Sequence, residues 1–155
     1  MSSKTLVDIT PTIVWQNSRV KLIDQTKLPL EESYIETDDY QVVCDAIYRL
    51  AIRGAPAVGV AGAYACVLAA NKIENDNTDG FLKEFLMKAD EIGATRPTAV
   101  NLMWAVKQMK EKAVSFSGDV KDLKSSLLDL ANEIRDDDID RCHNLALHGA
   151  ELIPD

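Results

Sequence analysis

The chain has 155 residues, 46% of them hydrophobic and 27% charged, and a formal net charge of −8 from 17 Lys and Arg against 25 Asp and Glu. That is about one domain's length, able to bury roughly two-thirds of the surface its unfolded chain exposes, and the composition is neither disordered nor fibrous. The acid surplus argues against a nucleic-acid partner, because phosphate backbones are captured by an excess of Lys and Arg, so an anionic ligand must be held by a local group of cations.

The opening Met1-Ser2-Ser3-Lys4-Thr5 lacks the apolar core of a signal peptide. Residues 12–36 read as strands: Ile13-Val14-Trp15, a turn at Gln16-Asn17-Ser18, Val20 to Asp24, and after the break at Leu28-Pro29-Leu30 a third short strand at Ser33 to Glu36. Helices follow. The first is predicted over 39–52 behind the capping segment Thr37-Asp38-Asp39, with Val42, Val43, Ala46, Ile47 and Leu50 on its buried face and Gly54 as its stop. The second opens near Pro56 and runs to about Lys72; its many Ala and Gly residues predict close packing against neighbours. This is also the richest apolar run, and it falls short of the roughly 20 apolar residues that span a bilayer, so no membrane partner is expected.

The loop Asn75 to Gly80 leads to a third helix predicted over 80–92 and ended by Gly93. A fourth is predicted over 98–113 behind Thr95-Arg96-Pro97-Thr98, and a long fifth over 120–148, with Leu123, Leu127, Leu130, Ile134, Ile139, Leu145 and Leu147 as buried positions. The fold class is therefore mainly α with a small N-terminal antiparallel β-sheet. Residues 1–150 form this helical domain with its sheet, and 151–155, carrying Pro154, begin a connection onward. Cys44, Cys66 and Cys142 include no C-x-x-C pair and read as core or helix-face thiols, with no metal site among them. Cytoplasm is the expected location.

Two segments share one design. Arg53-Gly54-Ala55-Pro56 precedes the second helix and Thr95-Arg96-Pro97-Thr98 the fourth, each setting an arginine in a turn and a proline at or near a helix's first position. Free amides and the positive end of a helix dipole attract an anion, and a neighbouring guanidinium adds donors suited to phosphate. The same residue types also occur as plain structural turns, with the arginine paired to a carboxylate such as Asp45 or Glu91. Asn101 reads as a buried amide satisfying backbone groups or as a ligand residue, and Tyr64 and Trp104 read as core aromatics. Cys142-His143 is a poor catalytic pair, since adjacent helical residues point about 100° apart, and His143 and His148 are badly spaced to share a metal.

The run from Leu50 through Arg53-Gly54-Ala55-Pro56 to Tyr64, together with Thr95-Arg96-Pro97-Thr98-Ala99-Val100-Asn101-Leu102-Met103-Trp104-Ala105, resembles the signature of the methylthioribose-1-phosphate isomerase family of methionine salvage. Leu22-Ile23-Asp24-Gln25-Thr26-Lys27-Leu28-Pro29 is similar to that family's early hairpin and following turn. The same superfamily includes ribose-1,5-bisphosphate isomerases and the regulatory subunits of the translation-initiation guanine-nucleotide exchange factor.

The resemblance implies a sugar-phosphate substrate gripped by Arg53, Gly54, Ala55 and Arg96, no metal or other cofactor, and a homodimer. It further implies that the isomerase's cysteine and aspartate belong to a Rossmann-like C-terminal domain absent from this chain. On that reading this is the N-terminal part of an aldose–ketose isomerase, carrying no catalytic residue and inactive alone. A non-catalytic regulatory relative and an isomerase for another sugar phosphate stay open.

Overall fold

A computed structural model describes residues 11–153. The expected leaderless start and the final Pro154-Asp155 of the expected connection lie outside the described residues.

Three strands, β1 (Ile13–Gln16), β2 (Arg19–Ile23) and β3 (Tyr34–Thr37), form an antiparallel meander in the order β1-β2-β3. Asn17 and Ser18 both have positive φ, 52° and 58°, and Gln16 pairs with Arg19 across them. This two-residue turn carries the backbone twist that matches paired strands. Alternation along β2 buries Val20 and Leu22 and turns Arg19 outward. Trp15 of β1 stacks on Tyr64, with ring centroids 5.5 Å apart, and so joins the sheet to the helices.

Five helices follow: α1 (Tyr40–Tyr48), α2 (Ala55–Asn71), α3 (Thr78–Ala94), α4 (Val100–Ser115) and α5 (Val120–Ala150). The centre is α2, buried on every side from Val58 to Ala70 and in contact with all four other helices and β1. A helix that is apolar all round belongs inside, and small side chains let its neighbours approach. Among the described residues no helix is long and apolar enough to cross a membrane.

Several expectations are corrected. Helix α1 ends at Tyr48, before position 52, because Leu50 turns left-handed at φ 65° and the amides of Leu50 and Ala51 bond back to Ile47 and Ala46. That paired closure satisfies the last carbonyls of a helix, usually with glycine at the turn. Leu50 is exposed beyond the helix end, Val42 is exposed in its first turn, and Gly54 caps the start of α2 instead of ending α1. Gly93 does not stop α3. It is buried within the helix and faces Met103 of α4, so it is a packing glycine. Helix α4 starts at Val100, not 98, because Pro97 and Thr98 lie ahead of it in a turn closed by the Ala99 amide on the Arg96 carbonyl at 2.9 Å.

A further correction concerns α5. Its Leu123, Leu127 and Ile134 are buried as expected, but Ile139, Leu145 and Leu147 are exposed. A 31-residue helix is roughly 46 Å long, and only the half up to Ile134 contributes buried positions among the described residues. Beyond it the apolar positions Ile139, Leu145 and Leu147 stay mostly exposed.

Candidate anion site between two helix starts

The site begins with how closely α2 and α4 pack. A β-carbon added to Gly59 would stand 3.0 Å from the Asn101 carbonyl oxygen, and one added to Gly62 would collide with Leu102. The missing side chains allow the two helices to run in contact from their first turns, which sets their N-termini side by side. Neither start is closed. Helices α1, α3 and α5 are capped by the side chains of Asp39, Asn77 and Asp119, whereas α2 begins at Gly54 and α4 at Ala99 with no side-chain cap. First-turn amides of both helices therefore remain available to a ligand.

Between them lies a cavity of about 480 Å³ lined by Leu50, Arg53, Gly54, Ala55, Arg96 and Asn101, among others. All four residues expected to grip phosphate are thus brought to one wall system. Arg53 is exposed and donates from Nη2 to the Gln25 carbonyl at 3.0 Å. Arg96 is half-buried and has no side-chain hydrogen bond or ion pair among the described residues.

The carboxylates that a structural role would have used are engaged elsewhere. Asp45 receives Arg49 at 2.8 Å and Glu91 receives the Tyr40 hydroxyl at 3.0 Å. Both arginines therefore keep their charge for the cavity. Gly54 has φ 95° and ψ 126°, a conformation that side chains disfavour, while the space around it is open. Its backbone geometry is thus a reason for glycine beside the ligand clearance inferred from sequence.

Asn101 has no side-chain hydrogen bond among the described residues and lines the cavity, so the structure lacks the backbone partners that a structural buried amide needs. Trp104 is corrected from core to surface. It is 50% exposed and lines an adjoining depression of about 510 Å³ with Pro56, Gly59, Ile134, Cys142 and Leu145. Val100 and Asn101 border both spaces. Tyr64 is core as expected; its hydroxyl donates to Asn132 at 2.9 Å and accepts from Arg135 at 3.0 Å.

A larger depression of about 770 Å³ between α3 and α4 is mostly apolar, and its two lysines are taken, Lys110 by Asp90 and Lys107 by Glu111. It offers no comparable unpaired cation. Sequence reasoning missed the left-handed Leu50 in the anion cavity and the loop behind Arg53. The hydroxyl of Thr26, followed by its amide and the Arg49 guanidinium, hold the buried Asp24 carboxyl below its ordinary range against the opposing effect of burial. The Asp24-Gln25-Thr26 segment was visible in sequence only as part of a family likeness.

Among the described residues no carboxylate, thiol or imidazole lines the candidate cavity. It can hold and orient an anion, but its own side chains include no acid–base pair for proton transfer.

The fold is a mainly helical domain with a small antiparallel sheet, in which two arginines and two helix starts without a side-chain cap border one cavity. The model of the Initiation factor 2 subunit family matches residues 51–155, and the chain belongs to that family. It is 41% identical over 145 residues to the methylthioribose-1-phosphate isomerase of Trichlorobacter lovleyi, covering 93% of this chain and 42% of the relative. With the enzyme of the same name from Synechocystis sp. it shares 38% over 154 residues, 99% of this chain and 44% of the relative.

Among solved structures, 5-methylthioribose 1-phosphate isomerase from Pyrococcus horikoshii aligns with a TM-score of 0.92 at 29% identity, over 99% of this chain and 44% of that one. The delta subunit of translation initiation factor eIF-2B from A. fulgidus aligns with a TM-score of 0.86 at 38% identity, over 93% and 42%. The chain spans about two-fifths of the length of the curated relatives it matches.

Proposed function

We propose that this chain is the N-terminal, phosphate-holding part of a methylthioribose-1-phosphate isomerase, interconverting 5-methylthioribose 1-phosphate and 5-methylthioribulose 1-phosphate. The observation that carries the reading is the convergence of Arg53 and Arg96, both without a carboxylate partner, on one cavity between two uncapped helix starts. The substrate's phosphate would be gripped there by guanidinium donors and the Ala55 amide. The anomeric phosphate blocks simple ring opening, so an acid and a base must be placed around C1 and C2 in a water-poor site. By family resemblance those groups come from a Rossmann-like domain beyond the segment described here. The reading carries with it a cytoplasmic homodimer that needs no cofactor, no nucleic acid and no membrane.

A second reading, a non-catalytic regulatory subunit, draws support from the likeness to the eIF-2B delta subunit at 38% identity. One experiment separates them. The chain is mixed with the separately expressed remaining part of the Trichlorobacter lovleyi relative and assayed for isomerisation of methylthioribose 1-phosphate. The chain alone is expected to be inactive and the mixture active, with Arg96→Ala abolishing most of the gain. A folded, associated mixture without turnover would favour the regulatory reading, as would phosphate binding indifferent to both arginines.

A further inference from the structure

The guanidinium of Arg53 is exposed, yet its position is held. Three hydrogen bonds join residues 51–53 to Gln25: the Gln25 amide donates to the Ala51 carbonyl at 2.8 Å, its Nε2 donates to the Arg53 carbonyl at 3.2 Å, and Arg53 Nη2 donates to the Gln25 carbonyl at 3.0 Å. The side chain of Gln25 thus holds the Arg53 backbone, and its main-chain carbonyl receives the guanidinium.

The loop carrying Gln25 is itself anchored. The Asp24 amide donates to the Ser33 carbonyl at 2.9 Å, and its carboxylate accepts from the Thr26 hydroxyl at 2.6 Å and from Arg49 at 3.3 Å. Arg49 also donates to Asp45, so a neighbouring arginine occupies both of these carboxylates and leaves Arg53 a neutral carbonyl as its partner. A carbonyl fixes a guanidinium without cancelling its charge. Holding a long side chain in its bound position beforehand lowers the ordering cost of binding.

We infer that Gln25 is a positioning residue for anion binding, acting through Arg53, with Asp24 and Arg49 anchoring its loop. The inference rests on the phosphate-site reading given above. It assigns a role to the Asp24-Gln25-Thr26 segment, which that reading leaves unused.

The test is a ³¹P NMR titration of the chain with inorganic phosphate. Gln25→Ala and the shape-preserving Gln25→Met, which remove the Nε2 bond to the Arg53 carbonyl and leave the Gln25 carbonyl in place, are each expected to weaken binding about five-fold, the effect of one modest hydrogen bond. Added to Arg53→Ala, either change should cost nothing further; added to Arg96→Ala, it should keep its five-fold effect. The thermal midpoint should shift by less than about 4 °C. If both single arginine variants weaken phosphate while the Gln25 variants do not, or if the Gln25 effect persists without Arg53, this inference is overturned and the phosphate site stands. No phosphate binding, or binding untouched by either arginine variant, overturns both.

Discussion

Gly59 of α2 lies against the backbone of Asn101 in the first turn of α4, with room for no β-carbon beyond 3.0 Å from the carbonyl oxygen. The contact sits at the edge of the anion cavity, so packing and binding are coupled there. Gly59→Val is expected to destabilise the fold by about 1–3 kcal/mol through overpacking, measured by urea unfolding. Phosphate affinity should fall with it, because the added side chain pushes the two helix starts apart. Loss of stability with affinity retained would show that their spacing is not critical.

Arg96 is the unpaired member of the arginine couple, and its removal should act on binding far more than on folding. In the mixture with the remaining part of the Trichlorobacter lovleyi relative, Arg96→Ala is expected to lower kcat/KM for the isomerisation at least tenfold, equivalent to about 1.4 kcal/mol. Arg53→Lys should also be poorly tolerated, since an ammonium cannot reproduce the fork of donors that touches both the Gln25 carbonyl and an anion. Steady-state kinetics together with an unfolding curve separate the two effects.

Val100, Trp104 and Leu145 form an apolar surface beside the cavity, with 79%, 50% and 75% of their areas exposed. Surfaces of this kind mark docking faces. The isolated chain is expected to bind a hydrophobic dye and to self-associate as its concentration rises in sedimentation runs. Trp104→Gln combined with Leu145→Gln should reduce both. A monodisperse, dye-silent wild-type chain would remove this face from consideration.

The Asp24 carboxyl lies below its ordinary value of 3.8 because Thr26 donates to it from hydroxyl and amide and Arg49 stands beside it. Between the folded value and 3.8 the unfolded chain takes up a proton that the folded chain refuses, so stability rises with pH across that window. The contribution is fully present above the unfolded value and is lost as pH falls through the folded one. Asp24→Asn should lower stability at neutral pH and flatten the acid limb of the stability curve, as followed by circular dichroism.

Sequence by itself determined the elements. Alternation from Ile13 to Ile23 and helical spacing from Val43 onward are local signals, and the side chains of Asp39, Asn77 and Asp119 close three helix starts within a few residues of themselves. The small residues of α2 also announced close packing. The pairing of an arginine with each of two helix starts was legible too, because it needs only neighbours in the chain.

Tertiary structure alone decided which surfaces meet. Periodicity states that Ile139, Leu145 and Trp104 could face a core, but not whether anything stands opposite, and all three are exposed. Leu50 is a local exception: it adopts a left-handed turn that its own preference disfavours, closed by bonds from residues 50 and 51 to Ile47 and Ala46. The meeting of Arg53 and Arg96 depends on Gly59 and Gly62 letting α4 lie against α2. The hold on Arg53 depends on a loop from the β-sheet region. Local torsions are set by nearby residues, whereas a shared cavity is set by contacts between distant ones, and no spacing rule within either segment contains that information.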